Sequence, residues 1–253
     1  IKPELYIGSK SFNLCQSLVE FVIPSSIAYI EDRAFEGCSS LSIVDIPPSV
    51  NRIGVYCFSK CVKLERIIIP SSIISINEYA FLECKLLKEV VIKSSSISFR
   101  KGCFSGCEKL ENIIYYQSID GNIEYIDEDG LTAPLIGIQS FEKCKSLRSF
   151  EIPCNIKLIG HKAFSECTKL KQIDIPPSLD LIDHHAFMKC ASLTEIIIPP
   201  SVKSIEAGMF NFCFSLVNII IPESVKKIES YAFNNCTSLK EIRIPDSVSA
   251  LSE

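Results

Sequence analysis

Residues 216–238 read Leu-Val-Asn-Ile-Ile-Ile-Pro-Glu-Ser-Val-Lys-Lys-Ile-Glu-Ser-Tyr-Ala-Phe-Asn-Asn-Cys-Thr-Ser, and the same grammar recurs along the chain. Working outward from Phe233, phenylalanines stand at 12, 35, 58, 81 and 104 and again at 141, 164, 187 and 210, so every step but one is 23 residues. A period of this length fixes the architecture before any motif is considered. A cysteine follows each Phe by three residues, from Cys15 and Cys38 to Cys213 and Cys236, and a leucine by six, from Leu18 to Leu239. The ninth and eleventh places after Phe are β-branched or aromatic throughout, as in Ile67 and Ile69. Pro holds the twelfth in eight units, and Ser the fourteenth in nine, with Asn155 in the other.

Each column has a physical meaning in a stacked coil. From the Leu to the Ile before Pro, apolar and variable residues alternate with period two, which predicts a short strand with one side in the core. Equivalent strands of successive coils form a parallel sheet. Pro cannot donate to a ladder and fits the strand end, and the Ser two places on can bond the backbone at that turn. Further apolar positions close the coil, as in Ile27 and Ile30 or Val202 and Ile205. Phe fills the far side of the core, and the segment from Phe to the next Leu has room only for a turn or one helical turn. One coil cannot bury its own apolar faces; stacking does it.

The Leu-x-x-[Ile/Val]-x-Ile-Pro half resembles the strand of leucine-rich repeats, and Ala-Phe-x-x-Cys with its 23-residue period resembles the BspA-like subclass, from about Ile7 to Leu251. The resemblance implies a right-handed α/β-type solenoid over residues 1–253, with short parallel strands in one curved sheet and turns or short helical turns opposite. It also implies a protein-binding function. Members of this subclass occur in bacteria and parasitic protists, many at cell surfaces, where binding to host matrix or cells is the usual proposal.

Two departures stand out. After Phe81 the Pro is replaced by Lys93, with Ser96 and Phe99 at closing positions, which predicts a looser coil. The 37-residue step from Phe104 to Phe141 carries an insert near 120–134, with an Asp-Gly-Asn hairpin turn and an acidic tip at Asp127, Glu128, Asp129 and Gly130. Inserts of repeat proteins map to loops on one face, as functional elements or as tolerated excursions. The EF-hand ligand spacing is missing from the acidic tip.

Composition narrows the function. A net charge of −4 and a pI near 5.6 carry no electrostatic footprint for nucleic acid. No run of about 18 apolar residues appears, so membrane insertion is not expected. The start at Ile1-Lys2-Pro3-Glu4, without a signal pattern, reads as a piece of a longer protein. Ten of the thirteen cysteines fall in one repeat column, read as small buried hydrophobes with weak S–H donors, although a parallel stack also brings neighbours near disulfide range. Cys57 and Cys103 take the Ala place in the core, and Cys154, after Pro153, is expected to be more exposed. His161 and His184 share a repeat position, with Asp183 and His185 alongside; the alternatives are a metal or pH-sensitive site and plain solvated side chains. The sequon Asn235-Cys236-Thr237 is a further feature. No catalytic motif, metal site or cofactor is expected.

The tenth place after Phe lies between two inward residues and faces out: Val22, Asp45, Ile68, Val91, Ile114, Glu151, Asp174, Ile197, Ile220 and Arg243. Ile68, Val91 and Ile114 are expected to form one exposed apolar stripe and Ile197 with Ile220 another, rimmed two residues earlier by groups such as Arg66 and Glu195. The candidate ligand-binding residues are therefore Val22, Arg66, Ile68, Val91, Ile114, Glu195, Ile197, Ile220 and Arg243. The alternative is that β-branched residues simply favour a sheet surface. Function is expected to be adhesion to a host-cell or matrix protein at the cell surface or as a secreted protein. The alternative is a cytoplasmic interaction scaffold.

Overall fold

In the computed structural model, which describes residues 5–94, 97–115 and 134–252, the coils of Phe12 to Phe210 each supply two short strands and a turn segment, stacked in three rows, and the coil of Phe233 supplies only the second strand. The front row is the strand that the alternation predicts, as in Ile43–Asp45, Gln172–Asp174, Glu195–Ile197 and Asn218–Ile220. Its middle residues are buried and the outer ones exposed. The second row, at the closing positions, comprises two- to four-residue strands such as Ile27–Ile30, Leu158–Ile159 and Lys227–Ile228. All pairings are parallel and join equivalent places of successive coils, as Ile159 with Ile182 and Ile196 with Ile219. Sheet structure thus covers two sides of each coil.

The third row carries Phe, and no helix forms among the described residues. The residues two before and two after every repeat Phe have positive φ in all ten coils: Tyr56 and Lys60 around Phe58, Lys162 and Glu166 around Phe164, Gly208 and Phe212 around Phe210. Left-handed backbone costs an ordinary residue about 1–2 kcal/mol. Its return is that alternate N–H groups all face the next coil: Tyr56 donates to Glu78 O at 3.0 Å, Phe58 to Ala80 O at 2.8 Å and Lys60 to Leu82 O at 2.7 Å. A helical turn would aim those donors along its own axis and leave the next coil's carbonyls unpaired. At Gly102 and Gly208 glycine serves a second purpose, because Tyr79 or His185 of the preceding coil lies where a Cβ would stand, 2.5 and 2.6 Å away.

The core is a set of continuous columns. The repeat Phe rings stack nearly parallel, with centroids 5.1 to 5.7 Å apart, including Phe104 on Phe141 across the 37-residue step. The second row also crosses that step without a break, pairing Phe99 with Ile136. The extra residues therefore leave the stack undisturbed; the proposed hairpin and acidic tip lie outside the described residues. In the coil after Phe81, Ser96 lies outside the described residues; Ser98 and Phe99 are fully buried, and the Phe99 ring meets Phe141 edge-on at 5.1 Å.

All thirteen cysteines are free thiols. From Cys38 to Cys236 each column thiol donates to the carbonyl of the preceding coil's Phe, for example Cys167 Sγ to Phe141 O at 3.1 Å and Cys190 Sγ to Phe164 O at 3.2 Å. Cys15 departs from the buried reading and is exposed, since no described coil precedes it to offer that carbonyl. Burial pushes Cys38 and Cys236 up to about 11 and the inner thiols well above their ordinary range. Cys154 is exposed, as expected from its place after Pro153.

Candidate functional site

The front row presents the outward column, and the fold divides it into unlike regions. In the N-terminal part, strands Arg66–Ile69, Glu89–Ile92 and Asn112–Tyr115 form a three-stranded ladder with Ile68, Val91 and Ile114 in register. The expected exposed stripe does not exist there. Val91 is 1 % exposed and Ile68 half-buried, and only Ile114, at 39 %, offers open surface. The shorter valine is flanked in register by two longer isoleucines. Charges in this region are matched between coils: Arg66 Nε meets Glu89 Oε1 at 2.5 Å and Lys88 Nζ meets Glu65 Oε2 at 2.9 Å.

The C-terminal part keeps its apolar groups in the open. Ile197 is 63 % and Ile220 50 % exposed, and the two are direct register partners. The ladder is interrupted between Gln172–Asp174 and Glu195–Ile197. Across that gap lies a groove of about 320 Å³, walled by Ile197 and Ile220 and rimmed by Gln172, Asp174, Glu195 and Asn218. Glu151 stands opposite Asp174 in register, and Glu195 opposite Asn218. Among the described residues no Lys, Arg or His makes an ion pair with Glu151, Asp174 or Glu195. The one polar contact to these carboxylates is Gln172 Nε2 donating to Asp174 Oδ1 at 3.2 Å.

The remaining predicted residues are scattered. Val22 is exposed at the far N-terminal end beside Asp45, and Arg243 is exposed on a coil that forms no front strand. Gln172, Asp174 and Asn218, which rim the groove, were absent from the candidate set. Their signal was position alone, since they share columns with Glu195 and Ile197 in neighbouring coils.

The histidines do gather. His184 Nδ1 lies 2.5 Å from Asp183 Oδ1 and its Nε2 3.7 Å from Glu206 Oε2, while the His161 ring meets His185 edge-on at 5.6 Å. The hydrogen bond to Asp183 raises the His184 pKa above its ordinary value; burial lowers that of His185. Among the described residues no group of three or more His, Cys, Asp or Glu side chains is arranged to hold a metal ion. No helix of the described residues is long and apolar enough to cross a membrane.

Stacked parallel strands, repeat columns and an outward face with open apolar walls define the class as a leucine-rich-repeat solenoid. The family model for the BspA type leucine-rich repeat region matches residues 5–129 and 135–253 with six copies, and the chain belongs to that family. A leucine-rich repeat protein from Bacteroides ovatus ATCC 8483 superposes with a TM-score of 0.62 at 24 % identity, over 98 % of this chain and 78 % of that one. The leucine-rich repeat protein of T. pallidum gives 0.51 at 25 % identity, over 75 % and 71 %. No curated protein matches the sequence.

Proposed function

We propose that this chain is a non-enzymatic protein-interaction module that takes its partner on the C-terminal part of the front face, acting at a cell surface or after secretion as an adhesion module for a host-cell or matrix protein. The observation that carries the location is the open pair Ile197 and Ile220 in a polar-rimmed groove, where apolar area is available for burial by a partner. Family membership supports binding as the task, and the surface setting rests on what the family's resemblance implies. The other setting, an intracellular scaffold, is favoured by the absence of disulfides among thirteen cysteines. Burial raises the column thiols from Cys38 to Cys236 and keeps them unreactive in either compartment, so binding decides between the two.

The test is binding of the purified chain to intact host cells and to an extracellular-matrix protein panel, with a repeat protein of similar charge as control. Saturable binding above control supports adhesion. Binding no better than control, with fold verified by circular dichroism, would contradict it and leave the scaffold.

A further inference from the structure

We infer that the groove between Gln172–Asp174 and Asn218–Ile220 receives an arginine side chain flanked by aliphatic residues, carried on an extended segment of the protein partner. The inference rests on the front face being the binding face and adds the chemistry of what binds there.

Charge complementarity names the occupant. Glu151 and Asp174 are direct register partners on adjacent parallel strands, and like charges so placed repel. Several carboxylates of other coils do receive a cation from the facing coil: Glu89 from Arg66, Glu65 from Lys88, Glu108 from Lys145 and Glu166 from Lys189. Around the groove no described cation is so supplied to Glu151, Asp174 or Glu195. A cation arriving from outside relieves that repulsion, and an anionic partner such as nucleic acid or an acidic membrane meets it undiminished.

The apolar walls and the acceptor set select among cations. Ile197 and Ile220 offer a wall along which an aliphatic stem can lie while its charged head reaches the rim. The rim presents acceptors on three successive coils, the carboxylates of Asp174 and Glu195 and the amide oxygens of Gln172 and Asn218. Gln172 spends an amide N–H on Asp174, which leaves its oxygen for the ligand. A planar guanidinium with five donors in a fork can serve several of these at once; an ammonium is a point charge. Aliphatic residues beside the arginine cover the remaining isoleucine surface.

The test is selection of random displayed heptapeptides on the intact chain and, separately, on an Asp174→Asn/Glu195→Gln variant. Both substitutions are near-isosteric and exposed, and circular dichroism checks the fold. The expected result is enrichment of arginine beside Leu, Ile or Val on the native chain and its loss on the variant. A synthetic peptide from that selection should bind at least tenfold more weakly when its arginine is replaced by neutral citrulline, and its addition should shift the Ile197 and Ile220 methyl resonances. Enrichment of lysine instead of arginine, equal binding of the citrulline peptide, or no enrichment would overturn the inference. If the native partner's binding survives Asp174→Asn/Glu195→Gln but is lost with Ile197→Ala/Ile220→Ala, the face stands and the arginine falls. Survival under both pairs refutes the face itself.

Discussion

Two stretches of one sheet face, built from the same repeat, have opposite characters. Around Arg66–Tyr115 the face is closed on itself: Val91 is enclosed, Ile68 is half-buried and the charges of Arg66, Glu89, Lys88 and Glu65 are matched between coils. Around Gln172–Ile220 the isoleucines are open and the carboxylates lack cations from the described residues. The repeat fixes the inward columns in both. What differs is the content of the outward columns, whose side chains lie outside the inward stack, so the exposed surface can vary while the scaffold is kept.

The largest effect tests whether the two stretches share one scaffold. Phe164 is stacked between Phe141 and Phe187 beneath the open region, and Phe164→Ala should cost about 3–5 kcal/mol of stability in denaturant melts. In hydrogen exchange, protection should fall first around residues 141–190 and less at 58–81. Uniform loss along the chain would mean a single cooperative block in place of nearest-neighbour coupling.

Next come the charges. Asp174→Lys places a cation in register with Glu151 and should change stability by no more than about 1 kcal/mol, in the stabilising direction, because exposed pairs contribute little. The same change should abolish partner binding. Arg66→Ala, in the closed region, should cost under about 1 kcal/mol and leave binding unchanged. If Arg66→Ala weakened binding as much as Asp174→Lys, the contrast between the regions would collapse.

Thiol chemistry sharpens the account of the columns. In the native chain a thiol reagent at pH 8 should label Cys15 and Cys154 quickly and the buried column thiols from Cys38 to Cys236 only on unfolding. Fast labelling of Cys167 or Cys190 would show that the stack under the open region breathes.

The smallest effect is in pH. His184 is bonded to Asp183, with Glu206 and Glu229 adding negative potential, so its folded pKa lies above its ordinary value of about 6.5. Its contribution to stability is fully present below that value and is lost as pH rises through the folded pKa. His185 is shifted the other way by burial, with His161, Lys162 and His184 adding positive potential and Asp183 opposing them. Its contribution is present above about 6.5 and is lost as pH falls through its folded pKa. Proton NMR titration should separate the two midpoints in that order. Coincident midpoints would contradict the geometry.

The inward columns were legible in the sequence because burial demands one residue class at each place: Phe, Cys, Leu and the paired aliphatics all fall where the period puts them. The left-handed pairs around each Phe were not legible, since sixteen of those residues are non-glycine and backbone hydrogen bonding to the next coil dictates their conformation. The same limit applied to the candidate site. Alternation correctly set Ile197 and Ile220 outward, but it could not say that Val91 is enclosed, because the pattern records which side a residue faces and not what flanks it. The groove lies beside a break in strand pairing at Glu195–Ile197, and no residue of the repeat marks that break.

Whether the open region is the binding face is decided by the affinities of Ile197→Ala/Ile220→Ala and of Arg66→Ala/Ile114→Ala for one captured protein partner, measured beside the native chain. A binding face around Ile197 and Ile220 gives a loss of tenfold or more for the first pair and less than twofold for the second, with both variants folded. Equal losses, or the larger loss at Arg66 and Ile114, would contradict it.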